Sequence, residues 1–168
     1  MEKVMKEADE TLSALENVFS EFDAAEINKV PFEGSWTAGQ LAKHLVMANS
    51  GFLQIINGPV TDTDKPADLM VQEIRNDFLN FNVKYDSPKE IYPEDSIYDY
   101  SELLENLKQI RLGTLNAATG LDLTKTCVSY ELPGYGFLTR LEAIYFVIYH
   151  TQRHIHQLKN IYSGLNPN

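Results

Sequence analysis

Three short signatures restrict this chain more than anything else in it: Thr37 with Gln40, Asp99 with Glu102, and Thr139 with Glu142. Each places a small hydrogen-bonding side chain three residues before a Gln or Glu and directly ahead of apolar residues at helical spacing, the pattern of a capped helix N-terminus. The helix after Thr37 carries Leu41, Leu45, Ala48, Phe52, Ile55 and Ile56 to a Gly58-Pro59 stop. The helix after Asp99 carries Leu103, Leu104, Leu107, Ile110 and Leu115 to Gly120. The helix after Thr139 continues to Gly164, and its first half, Ala143 to Tyr149, is apolar on every side, which marks a helix enclosed by neighbours. A further seam, Met1, Met5, Ala8, Leu12, Leu15, Phe19 and Phe22, alternates spacings of four and three and predicts a bundle-packing helix at the start of the chain.

Between the second and third of these helices, residues 58–98 read as a long crossover with one short helix around Asp68 to Phe81. Residues 121–138 read as a loop: Val128 to Leu132 could pass for a strand, but no partner strand is evident. The expectation is an all-α four-helix bundle with a long crossover, in one domain spanning residues 1–168.

Composition narrows the function. A net charge of −10 without a basic stripe disfavours nucleic acid as a partner. The longest apolar run is far short of the roughly 20 residues that span a bilayer, so no membrane partner is expected. The charged N-terminus lacks a signal-peptide pattern and Cys127 is the only cysteine; both favour a cytoplasmic, reducing compartment.

The chemistry-bearing residues are histidines. His150 and His154 lie four residues apart, about 40° around one helix, so both rings can reach one ion. His44 sits on the apolar face of the Thr37 helix, whereas His156 lies about 200° from His154 and should face away. His44 is about 10 Å beyond its helix cap, a height that an antiparallel pairing with the last helix would match, with a parallel one left open. Three neutral imidazoles would leave a divalent ion doubly positive with a position open to water, a thiolate or a substrate oxygen. Imidazole suits several ions, Zn²⁺ and Ni²⁺ among them. A zincin peptidase is excluded, because Thr151 stands where its glutamate base would follow the first histidine.

Ser35-Trp36-Thr37, Gly39-Gln40-Leu41 and His44-Leu45, with Tyr149-His150-Thr151-Gln152-Arg153-His154-Ile155-His156-Gln157-Leu158 near the end, resemble the DinB-like superfamily. Ser87-Pro88 with Ile91 and Pro93, and Gly136-Phe137-Leu138-Thr139, resemble it too. The superfamily includes YfiT-type metal-dependent hydrolases and enzymes that use low-molecular-weight thiols such as mycothiol or bacillithiol. The resemblance implies an up-down-down-up bundle, a metal on His44, His150 and His154, frequent homodimers, and a thiol-dependent transferase or hydrolase acting on a small molecule. The rival reading is a non-catalytic bundle that binds a metal or a small ligand.

Other side chains carry two readings each. Trp36 is either a hydrophobic staple before the cap or a substrate-stacking ring. Arg153 is a solvated or salt-bridged side chain, or an anion clamp that binds a cofactor at the pocket rim. Gln157 either bonds a ligand histidine's second nitrogen, as a cofactor-site residue, or bonds across helices. Cys127 has no electropositive neighbour in sequence and reads as an inert small residue rather than a nucleophile.

Overall fold

The computed structural model describes residues 2–167; Met1, the first member of the N-terminal seam, lies outside the described residues. Among the described residues five α-helices form in chain order: α1, Glu2–Phe19; α2, Ala38–Asn57; α3, Val71–Phe78; α4, Tyr100–Gly120; and α5, Arg140–Leu165. Short 3-10 turns occur at Glu26–Asn28 and Lys89–Ile91. The protein is an all-α bundle of α1, α2, α4 and α5, in which α1 and α2 each pack on both α4 and α5, while α3 lies on α5.

Named contacts give the helix directions. Leu53 of α2 packs on Gly113 of α4, and Gly39 at the start of α2 meets Tyr98 just before α4, so these two helices run together. His44 meets His150, Phe52 stacks on Phe146, and the Ile56 carbonyl accepts from Arg140, so α2 runs against α5. Thr11 accepts from Gln152 and Phe22 packs edge-on against Tyr162, so α1 runs with α5.

The caps behave as their chemistry dictates. Thr37/Gln40 and Thr139/Glu142 form full reciprocal boxes. Asp99 accepts from the Glu102 backbone at 2.8 Å, but the return bond is not made, because Glu102 is exposed and stays with solvent. Glu142, by contrast, is fully buried and also accepts from the Met70 backbone at 2.8 Å and from Lys65 at 3.3 Å, which ties the crossover to the start of α5. Gly39 is required by close approach: a Cβ there would lie 2.9 Å from the Ile27 carbonyl oxygen.

Two expectations need correction. The short helix is tighter than 68–81, and the 121–138 segment does find a partner strand. Thr126–Cys127 (β2) pairs antiparallel with Val60–Thr61 (β1), and the Val128 amide donates to the Pro59 carbonyl at 3.1 Å. Two residues are too few for a strand period to show, and the partner is more than sixty residues away. Helix α5 is buried without interruption from Glu142 to Thr151, as its all-round apolarity requires. Among the described residues no helix is long and apolar enough to cross a membrane.

Candidate metal centre

His44 lies two turns into α2, whose start is set by the Thr37 cap; His150 and His154 come from successive turns of α5. The three are buried, at 2%, 6% and 7% exposure. Their Nε2 atoms converge: His150 Nε2 lies 3.3 Å from that of His44 and 3.0 Å from that of His154. Imidazole nitrogens about 2.0–2.1 Å from one ion would be about 3.3 Å apart at a tetrahedral angle and about 2.9 Å apart at a right angle. The observed separations fall within that range. Among the described residues these three form the one group of His, Cys, Asp or Glu side chains spaced to hold an ion.

The outer nitrogens settle the tautomers of His44 and His154. His44 Nδ1 lies 2.9 Å from the Ile91 carbonyl oxygen, which can only accept, so Nδ1 carries the proton and Nε2 presents its lone pair. His154 Nδ1 donates to Gln157 Oε1 at 2.6 Å with the same result. His150 Nδ1 is buried without a hydrogen-bond partner; packing orients its ring, edge-on to Phe78 and nearly parallel to Phe146, each 5.6 Å away between centroids. Burial keeps the rings neutral. It lowers His44, against the opposing Ile91 bond, and pushes His154 down to about 3. His150 falls well below the usual histidine range, by burial first and then by the neighbouring His154 and His44. The Nε2 lone pairs of His44 and His154 both face His150 Nε2, on rings that burial keeps neutral, and a cation is an occupant that all three nitrogens can bind.

A sequence profile of the DinB superfamily matches residues 7–158. The chain belongs to the DinB superfamily. All three histidines lie inside the matched span. Searches among curated proteins and among solved structures found no match.

In this DinB-superfamily chain the other sequence-level candidates separate clearly. Gln157 is in place beside His154. Arg153 is neither solvated nor salt-bridged: it is 7% exposed, and its guanidinium donates to the carbonyls of Phe78 and Asn80, each at 3.1 Å, and to that of Val83, with Tyr85 packed over it. Three of its five N–H donors are thus committed to crossover and α3 carbonyls. Trp36, half-buried, stands 5.3 Å from the His44 ring and 5.3 Å from Tyr92 between centroids, so it packs beside a ligand as well as against the core. His156 is exposed and stacks on Phe81. Cys127 is fully buried, and burial raises its thiol, as an inert residue requires.

The Ile91 carbonyl, Ser87 (Oγ 3.4 Å from His44 Nδ1), Phe78 and Phe146 complete the surroundings of the histidines. The Ser87-Pro88 and Ile91 motif was the only sequence signal for the first two. Backbone carbonyls carry no residue-type signature of their own. Two surface clefts, of about 480 and 460 Å³, are lined by none of the three histidines.

Proposed function

We propose that this protein is a metal-dependent enzyme in which Nε2 of His44, His150 and His154 holds a divalent ion, such as Zn²⁺ or Ni²⁺ among the ions that imidazole suits, for thiol-dependent transfer or hydrolysis of a small molecule. The observation that carries it is the convergence of the three Nε2 atoms with the protons of His44 and His154 fixed on the far side. A bound ion supplies Lewis acidity, which favours the thiolate or deprotonates water.

The chain's own residues supply orientation and dryness. Ile91 and Gln157 fix two rings, Phe78 and Phe146 hold the third, and Trp36 with Tyr92 walls the His44 side. Three neutral ligands leave the ion's charge uncompensated, so a thiolate is a favoured additional ligand. The low exposure of the histidines favours a second reading, a non-catalytic metal-binding bundle. The two readings differ in whether a ligand position exchanges.

Metal analysis of protein purified without an affinity tag tests the site. Near one ion per chain is expected for the wild type and loss of it in a His150→Ala/His154→Ala variant. A wild type that stays metal-free after incubation with Zn²⁺, Ni²⁺ and related ions refutes the proposal. Conjugation assays pairing low-molecular-weight thiols with a panel of electrophiles then separate enzyme from binder.

A further inference from the structure

The three histidines are nearly sealed, and what seals them is thin. From Leu79 to Tyr92 no residue of the crossover is buried and most are exposed, including Phe81, Val83 and Tyr85. Among the described residues, the backbone-to-backbone hydrogen bonds of this segment run only to itself or to α3, never to the backbone of a bundle helix. It is held at one end by α3, whose Ile74 is fully buried, and at the other by the buried Pro93.

Leu79 packs on the core and Trp36 packs on Tyr92; the segment's other attachments are side chains from the two histidine-bearing helices. Arg153 donates to the carbonyls of Phe78, Asn80 and Val83 while Tyr85 covers the guanidinium, with its centre 4.9 Å from the ring centroid. His156 stacks on Phe81 with centroids 4.3 Å apart, and His44 donates to the Ile91 carbonyl. The α5 turns that carry His150 and His154 therefore also hold residues 78–85 through Arg153 and His156, while α2 holds Ile91 through His44.

We propose that residues 79–92 form a cover over the histidine cluster, latched by Arg153, and that Arg153 is a positioning residue that sets how often the cluster opens to an incoming ion or ligand. The proposal rests on the metal reading above for its function, but the latch itself is a property of the polypeptide. Segments with few buried contacts and exposed backbone open locally without global unfolding, and charge-assisted bonds are the strongest of this cover's attachments. Removing them should raise the open fraction at least about ten-fold.

The kinetic signature separates a cover from a mere support. A cover that remains mostly closed changes loading and extraction rates by the same factor and leaves their ratio, the dissociation constant, unchanged. A residue that holds ligand geometry changes the dissociation constant instead.

The test compares wild type with Arg153→Ala, Arg153→Lys and Tyr85→Ala. One arm measures trypsin cleavage after the exposed Lys84 in metal-free protein; the other measures Zn²⁺ loading and its extraction by a chromophoric chelator. Cleavage of Arg153→Ala is expected to be about ten-fold faster or more, and both zinc rates are expected to rise by a similar factor with the dissociation constant held within about three-fold. Arg153→Lys and Tyr85→Ala should fall between, and they carry the test if Arg153→Ala does not fold. Unchanged cleavage, or faster extraction matched by weaker binding, overturns the proposal. If the wild type takes up no zinc, the metal reading falls and the cleavage arm alone decides the latch: faster cleavage supports it and unchanged cleavage overturns it.

Discussion

Replacing Gln157 by Leu tests the site where its chemistry is most specific. Gln157 Oε1 accepts from His154 Nδ1 at 2.6 Å, and His154 is only 7% exposed. Without an ion, the variant's His154 can move its proton to Nε2 and escape the loss. With an ion on Nε2 the proton must stay on Nδ1, where Leu offers no acceptor. The penalty therefore falls on the loaded state, at about 1–3 kcal/mol for a buried donor left unpaired. That is about a 10- to 100-fold loss of affinity, the range typical for removing the partner of a ligating histidine.

The assay is competition for Zn²⁺ against a chromophoric chelator, with circular dichroism to confirm the fold. Gln157→Glu keeps an acceptor at the same reach and should bind at least as tightly as wild type. If Gln157→Leu is folded and binds within about two-fold of wild type, the tautomer argument is wrong.

Glu142→Ala strips the acceptor from the Thr139 and Met70 amides and the partner from Lys65, so a loss of roughly 3 kcal/mol is expected, read as a Tm about 6–12 °C lower; an unchanged Tm would show the buried box to be dispensable. The metal-free protein should lose stability as pH falls below about 6.5, because the unfolded chain takes up protons that the buried histidines do not. Each ring then contributes a slope of at most about 1.4 kcal/mol per pH unit, continuing toward pH 3 for His154, and His154→Gln should shallow the decline seen in urea unfolding. Cys127 should react with iodoacetamide only as fast as the chain unfolds, since burial both hides the thiol and raises its pKa; stoichiometric labelling under native conditions would contradict this.

Local signals set the helices: each depends on residues within a few positions of one another, and the Thr37 and Thr139 boxes, the Gly58 stop and the enclosed stretch of α5 all took their sequence-level form. Rotation within one helix was legible for the same reason, which is why the outward face of His156 and the shared face of His150 and His154 followed from spacing alone. The reading of Arg153 was incomplete because its partners are backbone carbonyls seventy or more residues away. The β1–β2 pairing escaped because neither strand is long enough to show a period.

What the sequence determined by itself was the set of helices, the side chains on each face, and a two-histidine turn in search of a third ligand. Only the packing of α2 against α5 decided that His44 joins them, because 3 Å between nitrogens depends on helix rotation and height to within an ångström, and local propensity sets neither so finely. The tertiary structure likewise decided which nitrogen of His44 faces inward, through one carbonyl on the crossover, whereas for His154 the choice is local, made by the Gln157 amide one turn along α5. Hydrogen-bond partners choose a tautomer, and here one of them, the Ile91 carbonyl, lies far away in the chain.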